Sequence, residues 1–579
     1  MKNYSDEKNV LIIISLLKAN GIRKVVASPG TTNVALVASM QTDSYFQMYS
    51  AVDERGAAYM ACGLAAESGE SVVITCTGAT ASRNYLSGLT EAYYRKLPVL
   101  AITSTQPIRS VGHHIAQVID RSSIQKDVAR ISVNLPVVKD DDDFWECEVK
   151  VNKAIGELTR HGGGPAHINL PTTYNKSFST KELPLVRTIK RITKNDKFPS
   201  IDGAKIAILI GAHPKWTDSQ TKALDKFCDL NNAAVFCEHS SNYRGKYWIQ
   251  TCLLTGQNYE AFSNVIPDLI IDIGEINGET YNGKIVKNKV WRVSLDGEIR
   301  DRYKKMEYVF EMSEQTFFEH YSIKETKKEN TYFNDIKTLT DDLIKKIPEL
   351  PFSNIWTASQ LAPKIPAASV IHFGILNSLR SWNFFKIPSS VLSDSNSGGY
   401  GIDGCLSSLI GASLIEPKKL FYGIIGDLAF FYDMNSIGNR HIGNNLRILL
   451  INNGKGTEFR QFMNMAYSLG DETDEYISAG GHFGNKSNYL VKNYAQGLGF
   501  DYISASNKEE FEVVHKKFID DEPTKKSIIF EVFTNNVNEN DALLKLVSIQ
   551  SDNLGGAKSA VKQILGEKGI SFLKKVIKK

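Results

Sequence analysis

The sequence predicts an α/β protein built from three open parallel-sheet domains, and three observations carry that prediction. Short buried strands alternate with helical segments along most of the chain. A length of 579 residues exceeds what one hydrophobic core serves. Two polar connectors, residues 181–200 and 324–335, interrupt the alternation. We therefore place domains at 1–185, 200–322 and 350–545, with a basic tail at 546–579.

In the first block, Lys8 to Lys18 reads as an apolar helix closed by Asn20-Gly21, a helix-stop pair. Val25-Val26-Ala27, Ser71 to Cys76 and Pro98 to Thr103 read as strands. A helix opens at Val52-Asp53-Glu54-Arg55-Gly56 and runs through Ala65. Asp140 to Asp143 reads as a solvated loop rather than a metal site, because four adjacent carboxylates cannot all converge on one ion. Gly162 to Pro171 closes the block as a strand between turn residues. The second block begins with Ala204 to Gly211 and continues through strands at Leu269 to Gly274 and Val290 to Leu295, ending near Tyr321.

The third block holds the most informative segment. Phe421 to Ile425 and Leu446 to Ile451 are buried strands, and a helix from about Asp433 to Gly443 is expected to cross between them. A strand-helix-strand unit makes parallel neighbours. Asp427 and Asn453, 26 positions apart, then emerge together at carboxyl ends of strands, where open α/β sheets bind ligands. A carboxylate, an amide oxygen and a main-chain carbonyl are hard oxygen donors suited to Mg²⁺, Ca²⁺ or Mn²⁺. Small neighbours such as Gly426, Ala429 and Gly456 let a phosphate group approach the backbone.

Bulk properties exclude several classes. At 42% apolar and 23% charged, with a net charge of +4, the chain has an ordinary globular composition and no nucleic-acid footprint. No stretch approaches 18 apolar residues, so no membrane span is expected. The polar start, Met1 to Lys8, is unlike a signal peptide. Seven scattered cysteines without CxxC pairing read as buried thiols in a reducing cytoplasm. The tail from Ala557 to Lys579 interleaves seven lysines with apolar residues. That spacing fits a basic amphipathic helix able to make weak contact with an anionic membrane surface. Gly566 and Gly569 interrupt it and favour a helix docked on its own subunit.

Gly426-Asp427-Leu428 followed by Asn452-Asn453-Gly454-Lys455 resembles the metal-diphosphate motif of thiamine diphosphate (ThDP) enzymes. The likeness extends to Ser28-Pro29-Gly30, to Asp53-Glu54-Arg55-Gly56, to Thr77-Gly78-Ala79 and to the Gly164-Pro165-Ala166-His167 closure. It spans nearly the whole chain and is weakest in the middle block. The nearest branch is the menaquinone-pathway synthase, which joins 2-oxoglutarate to isochorismate; acetolactate synthase-like enzymes share the fold.

The resemblance implies that Asp427, Asn453 and the Lys455 carbonyl hold the metal. It implies cofactor contacts from Pro29, Gly30, Thr77, Gly78, Asn377, Ser378, Gly401, Gly426, Leu428, Ala429, Gly456 and Thr457, with Ile402 as the apolar wedge beneath a V-shaped cofactor. Glu54 would bond N1′ of the aminopyrimidine, so that the exocyclic 4′-nitrogen can act as base. Gln117 is placed near the thiazolium, and His113 and His114 resemble a catalytic histidine pair. The implied partners are a 2-oxo acid donor and an acceptor, in a homodimer or homotetramer with active sites between subunits. FAD is not expected.

The pattern breaks at the arginines that bind carboxylates in this branch. Thr32, Ser397 and Trp382 stand at those positions, with Arg380 close to the last. A charge-assisted Arg–carboxylate bond contributes roughly 1.5–3 kcal/mol. The expectation is therefore a carboligase other than the menaquinone enzyme, with substrates bearing fewer carboxylates and a flatter pocket at Trp382. One alternative is simple decarboxylation to an aldehyde, which the histidine pair favours. Another is a ThDP-binding subunit without turnover, against which Glu54 argues. A nucleotide-binding oxidoreductase lacks its GxGxxG fingerprint.

Overall fold

The computed structural model describes residues 3–201, 203–257, 265–278, 281–323, 329–481 and 487–550. The Lys-rich tail expected at its C-terminal end lies outside the described residues. Strands and helices alternate as expected, and every strand pairing is parallel. The chain divides into two compact units, Met1–Lys197 with Asp296–Glu311, and Phe198–Leu295 with Met312–Lys579.

The first unit contains a six-stranded sheet. Its strands are β1 (Lys24–Ala27), β2 (Gln47–Ser50), β3 (Val72–Cys76), β4 (Val99–Thr105), β5 (Ile131–Asn134) and β6 (Ala166–Pro171), in the order β2-β1-β3-β4-β6-β5. β3 is buried throughout, as a strand covered on both faces must be. The Lys8–Ala19 helix buries every residue from Asn9 to Leu17. On the other face, the Glu54–Ser68 helix presents Ala57, Ala58, Ala61 and Ala65. These small residues bring the Leu86–Tyr94 helix so close that a Cβ on Gly88 would sit 2.4 Å from the Ala58 Cβ. The same unit pairs β7 (Lys190–Ile192) with β13 (Met306–Glu311). The 181–200 connector thus contains a strand. Asp140 to Asp143 is not a loop. Asp140 caps the Asp141–Glu157 helix by accepting from the Asp143 N–H at 2.9 Å, and the three acids of the first turn complement the helix dipole.

The second unit carries β8 (Ile206–Ile210), β9 (Ala233–Cys237), β10 (Trp248–Gln250), β11 (Leu269–Ile273) and β12 (Lys289–Ser294), ordered β10-β9-β8-β11-β12. Its other sheet comprises β14 (Val370–Phe373), β15 (Leu392–Ser395), β16 (Phe421–Gly426), β17 (Leu446–Asn452), β18 (Asp501–Ala505) and β19 (Ile528–Phe533). The order there is β15-β14-β16-β17-β19-β18, which repeats the winding of the first unit's sheet strand for strand.

All seven cysteines are free and buried. No helix among the described residues is long and apolar enough to cross a membrane.

Candidate functional site

In the second unit the donors converge at the carboxyl edge of β16 and β17. The two strands pair from Phe421↔Leu446 to Gly426↔Ile451, so Asp427 and Asn453 leave adjacent strands at nearly the same level. The expected helix is displaced: an α-helix covers Asp427–Asp433 and a 3₁₀ turn Met434–Gly438. Gly426 is still extended, and Asp427 opens the helix directly.

Asp427 is 3% exposed. Its Oδ1 accepts from the Leu428 N–H at 2.8 Å and its Oδ2 from the Gly454 N–H at 2.7 Å. Gly454 reaches it from a left-handed backbone (φ +83°) that a side chain would strain. Burial pushes the Asp427 carboxyl up to about 6, although these backbone bonds pull it down. The charged form is thus short of a partner.

Asn453 completes the picture. Its Nδ2 donates to Thr457 Oγ1 at 3.2 Å, which fixes the amide. Its Oδ1 is buried and has no hydrogen-bond donor. A buried, orphaned amide oxygen beside an under-compensated carboxylate fits a hard cation. Thr457 is oriented in turn by Asn377. With its amide turned to satisfy both ends, Asn377 accepts from the Thr457 hydroxyl at 3.1 Å and from the Glu458 N–H at 2.9 Å.

The neighbouring positions suit a diphosphate. Nothing lies within 4 Å of a Cβ built on Gly426, so the backbone there is open to approach. The Gly456 N–H donates to Ser478 O at 2.6 Å, and Leu428 packs against Gly456. Lys455 is salt-bridged to Asp474 at 2.5 Å. Ala429 and Ser378 are buried. A Cβ on Gly401 would meet Asp403 Oδ1 at 2.4 Å, the tip of an exposed side chain that can turn away. Ile402 is half-buried against the core of this sheet.

The first unit assembles the other cluster at the carboxyl edge of its own sheet. Ser28-Pro29-Gly30 follows β1, Glu54 follows β2, and Thr77-Gly78 follows β3. These strands are neighbours, β1 sitting between the other two. A Cβ on Gly30 would lie 2.5 Å from the Thr77 Cβ, so only glycine allows this approach. Glu54 is half-exposed in the first turn of its helix, which Asp53 caps through the Arg55 and Gly56 N–H groups at 3.2 and 3.1 Å. The Asn84 amide donates to Glu54 Oε2 at 3.2 Å. The loop of His113, His114 and Gln117 is exposed, with positive φ at His114 and Gln117. The Gln117 carbonyl comes within 3.6 Å of a Cβ built on Gly78, so that loop borders the cluster.

Two of the arginine-replacing residues are tied up. Thr32 is buried; its hydroxyl donates to Ser104 O at 2.9 Å and shares a hydrogen bond with the Thr77 hydroxyl at 2.5 Å. Trp382 is fully buried against Phe373, with ring centroids 5.7 Å apart, and so fills core instead of shaping a pocket wall. Sequence reasoning missed Asn84, which orients Glu54 from thirty positions away, and Glu458, which pairs with Arg380 at 2.6 Å. Neither residue type at either spacing carries a signal.

Residues 10–124 match the family described as thiamine pyrophosphate enzyme, N-terminal TPP binding domain. Over 574 residues the chain is 30% identical to 2-succinyl-5-enolpyruvyl-6-hydroxy-3-cyclohexene-1-carboxylate synthase of Bacteroides fragilis, covering 94% of this chain and 98% of that protein. The same enzyme of Bacteroides thetaiotaomicron is 30% identical over 576 residues, with the same coverage of 94% and 98%. That of Flavobacterium psychrophilum is 28% identical over 555 residues, covering 90% and 95%.

Proposed function

The chain belongs to the 2-succinyl-5-enolpyruvyl-6-hydroxy-3-cyclohexene-1-carboxylate synthase family of thiamine diphosphate enzymes, and on that premise we propose how its own residues serve the reaction. It is a ThDP-dependent enzyme that decarboxylates a 2-oxo acid and joins the remainder to a small-molecule acceptor through a new C–C bond. When bound, the cofactor supplies the electron sink for decarboxylation and the nucleophile for bond formation.

Asp427 and Asn453, with the Lys455 carbonyl, hold Mg²⁺ or a similar cation against the diphosphate. The open backbone at Gly426 admits the phosphates, and Gly456, Asn377, Ser378 and Thr457 border them. Glu54 bonds N1′ and holds the proton there, with Asn84 fixing the carboxylate. Gly30, Thr77 and Gly78 give the pyrimidine a close-packed floor, Ile402 is the wedge, and Gln117 faces the reacting end. The observation that carries this reading is the orphaned Asn453 Oδ1 beside buried Asp427. The assignment further implies a cytoplasmic homodimer or homotetramer of three-domain subunits, with Glu54 of one subunit opposed to Asp427 of another.

The substrates differ from those named for the relatives. Their product name carries succinyl, enolpyruvyl and carboxylate groups. Here Thr32 spends its hydroxyl on Ser104, Ser397 is buried, and Trp382 is core. Fewer cations mean fewer substrate carboxylates. The test loads purified protein with ThDP and Mg²⁺ and offers a panel of 2-oxo acids with and without acceptor aldehydes. A C–C-coupled product supports the ligase reading; aldehyde alone would establish the simple decarboxylase, with histidines 113 and 114 as its candidate proton carriers. No turnover of any 2-oxo acid despite metal-dependent ThDP uptake would leave a binding subunit.

A further inference from the structure

A cavity of about 200 Å³ in the second unit adjoins the metal-diphosphate residues through Asn377. Arg380 and Glu458 both line it, paired by a bond from Arg380 Nη1 to Glu458 Oε1 at 2.6 Å. The other carboxylate oxygen is occupied as well, since the turned Asn377 amide donates to Glu458 Oε2 at 2.8 Å. Both oxygens of Glu458 are thus satisfied from within the protein, and its charge cancels that of Arg380, the one cation among the described residues lining this cavity. Burial works against the Arg380 charge, and Glu458 leads the groups that counter it and hold the guanidinium above its ordinary value.

The rest of the lining is uncharged. Gln461, Asn464 and Ser381 present both donors and acceptors, and Tyr281 and Phe384 form a tilted aromatic pair with centroids 5.6 Å apart. Arg380 Nε–H is buried without an acceptor. A neutral hydroxyl or carbonyl oxygen is the partner such a group wants. An entering carboxylate would meet a cation already neutralised, with a second carboxylate beside it.

We propose that Glu458 is a specificity-determining residue, which, by neutralising Arg380, makes this cavity take an uncharged substrate tail and refuse a carboxylate. The proposal rests on the ThDP reading above and names the substrate class of that site.

The experiment uses full-length protein loaded with ThDP and Mg²⁺, loading being verified by thermal shift. Two donors of equal chain length are compared, 2-oxoglutarate and 2-oxopentanoate, by CO₂ release and by calorimetric binding. Wild type is expected to favour 2-oxopentanoate at least tenfold. E458Q, which keeps shape and frees Arg380, should move the ratio at least tenfold toward 2-oxoglutarate, and R380M/E458Q should abolish that gain. R380Q, which exposes Glu458, should move the ratio the other way and keeps the proposal testable should E458Q misfold. An unchanged ratio in E458Q or R380Q, an equal gain in the double variant, or no binding of either acid by a loaded protein would overturn it. Failure of the loading itself would instead indict the cofactor assignment.

Discussion

Replacing Asp427 with asparagine separates the stability role of this carboxylate from its metal role. Burial raises its carboxyl from 3.8 to about 6. A shift of that size corresponds to roughly 3 kcal/mol of unfavourable energy for the charged form at neutral pH, in the absence of a cation. The neutral amide of D427N would remove that cost. It would also turn a nitrogen toward one of the two N–H groups that now donate to Asp427, from Leu428 at 2.8 Å or Gly454 at 2.7 Å. Losing one hydrogen bond to a charged acceptor costs roughly 1.5–3 kcal/mol. The two effects nearly cancel, so the cofactor-free D427N protein should melt close to wild type. Loaded protein behaves otherwise. A ligand at a hundred times its Kd stabilises by about 2.7 kcal/mol, and wild type should show that gain only with ThDP and Mg²⁺ together. The variant should show almost none, because a neutral amide is a poor ligand in place of a carboxylate. Differential scanning fluorimetry and calorimetry, with and without chelator, read both quantities. A variant that keeps the metal-dependent gain would refute the ligand assignment. A variant that fails to fold would refute the cancellation. Because the acid must be ionised to hold the cation, metal-dependent ThDP binding should also weaken as pH falls below about 6.

Four other outcomes are expected. Glu54→Gln should retain ThDP binding but lose on the order of 10²–10⁴ in kcat; unchanged turnover would remove Glu54 from the mechanism. Glu539 is fully buried, accepts from the Asn354 N–H at 2.9 Å and the Thr534 hydroxyl at 2.6 Å, and is pushed by burial from 4.5 up to about 7. A raised carboxyl favours the fold while protonated, so its contribution is lost as pH rises from 4.5 through 7. Glu539→Gln keeps the acceptor oxygen and should stabilise the protein at alkaline pH, by up to roughly 3 kcal/mol, with the advantage vanishing near pH 4.5 in melts across that range. Trp382→Ala should cost about 3–5 kcal/mol as a core cavity; a mild effect on stability with altered substrate preference would return Trp382 to the pocket. Activity per mole should fall on dilution into the dissociating range, as followed by sedimentation; a fully active monomer would exclude the intersubunit site.

Much of the architecture is legible in the sequence because it rests on patterns of the chain alone. β16 and β17 are largely apolar runs, broken by Arg447 in β17, closed by Gly-Asp and Asn-Asn, and a parallel pair of that kind puts both motif residues at one edge whatever else the fold does. β2 and β5 carry no such signal, being four residues each with partly exposed faces. The crossing helix is displaced from its expected place because aromatic Phe430 and Phe431 continue the apolar pattern of the strand, whereas Asp427 opens a helix by accepting the Leu428 N–H. Trp382 reads as a pocket wall from its place in a motif; its ring points instead into the core beside Phe373, a direction that only packing decides. Asn84 and Glu458 are invisible for a related reason. Each acts through a partner set by tertiary contact, Glu54 and Arg380 respectively, and polar residues of those types are ordinary on any surface.

The repeated winding of the two six-stranded sheets bears on how such a site divides its labour. Both carry their candidate residues on loops at the carboxyl edge, around β1, β2 and β3 in one sheet and β16 and β17 in the other, yet the residues delivered there differ in kind. The β16–β17 edge offers a buried carboxylate and an orphaned amide oxygen, which suit a cation and its phosphates. The β1–β2–β3 edge offers a half-exposed acid on a capped helix and a glycine pressed against Thr77, which suit a flat heterocycle and a proton at one of its nitrogens. Near Glu54, Val52 and Tyr59 are exposed. One winding, used twice in the chain, thus carries complementary chemistry at its two carboxyl edges.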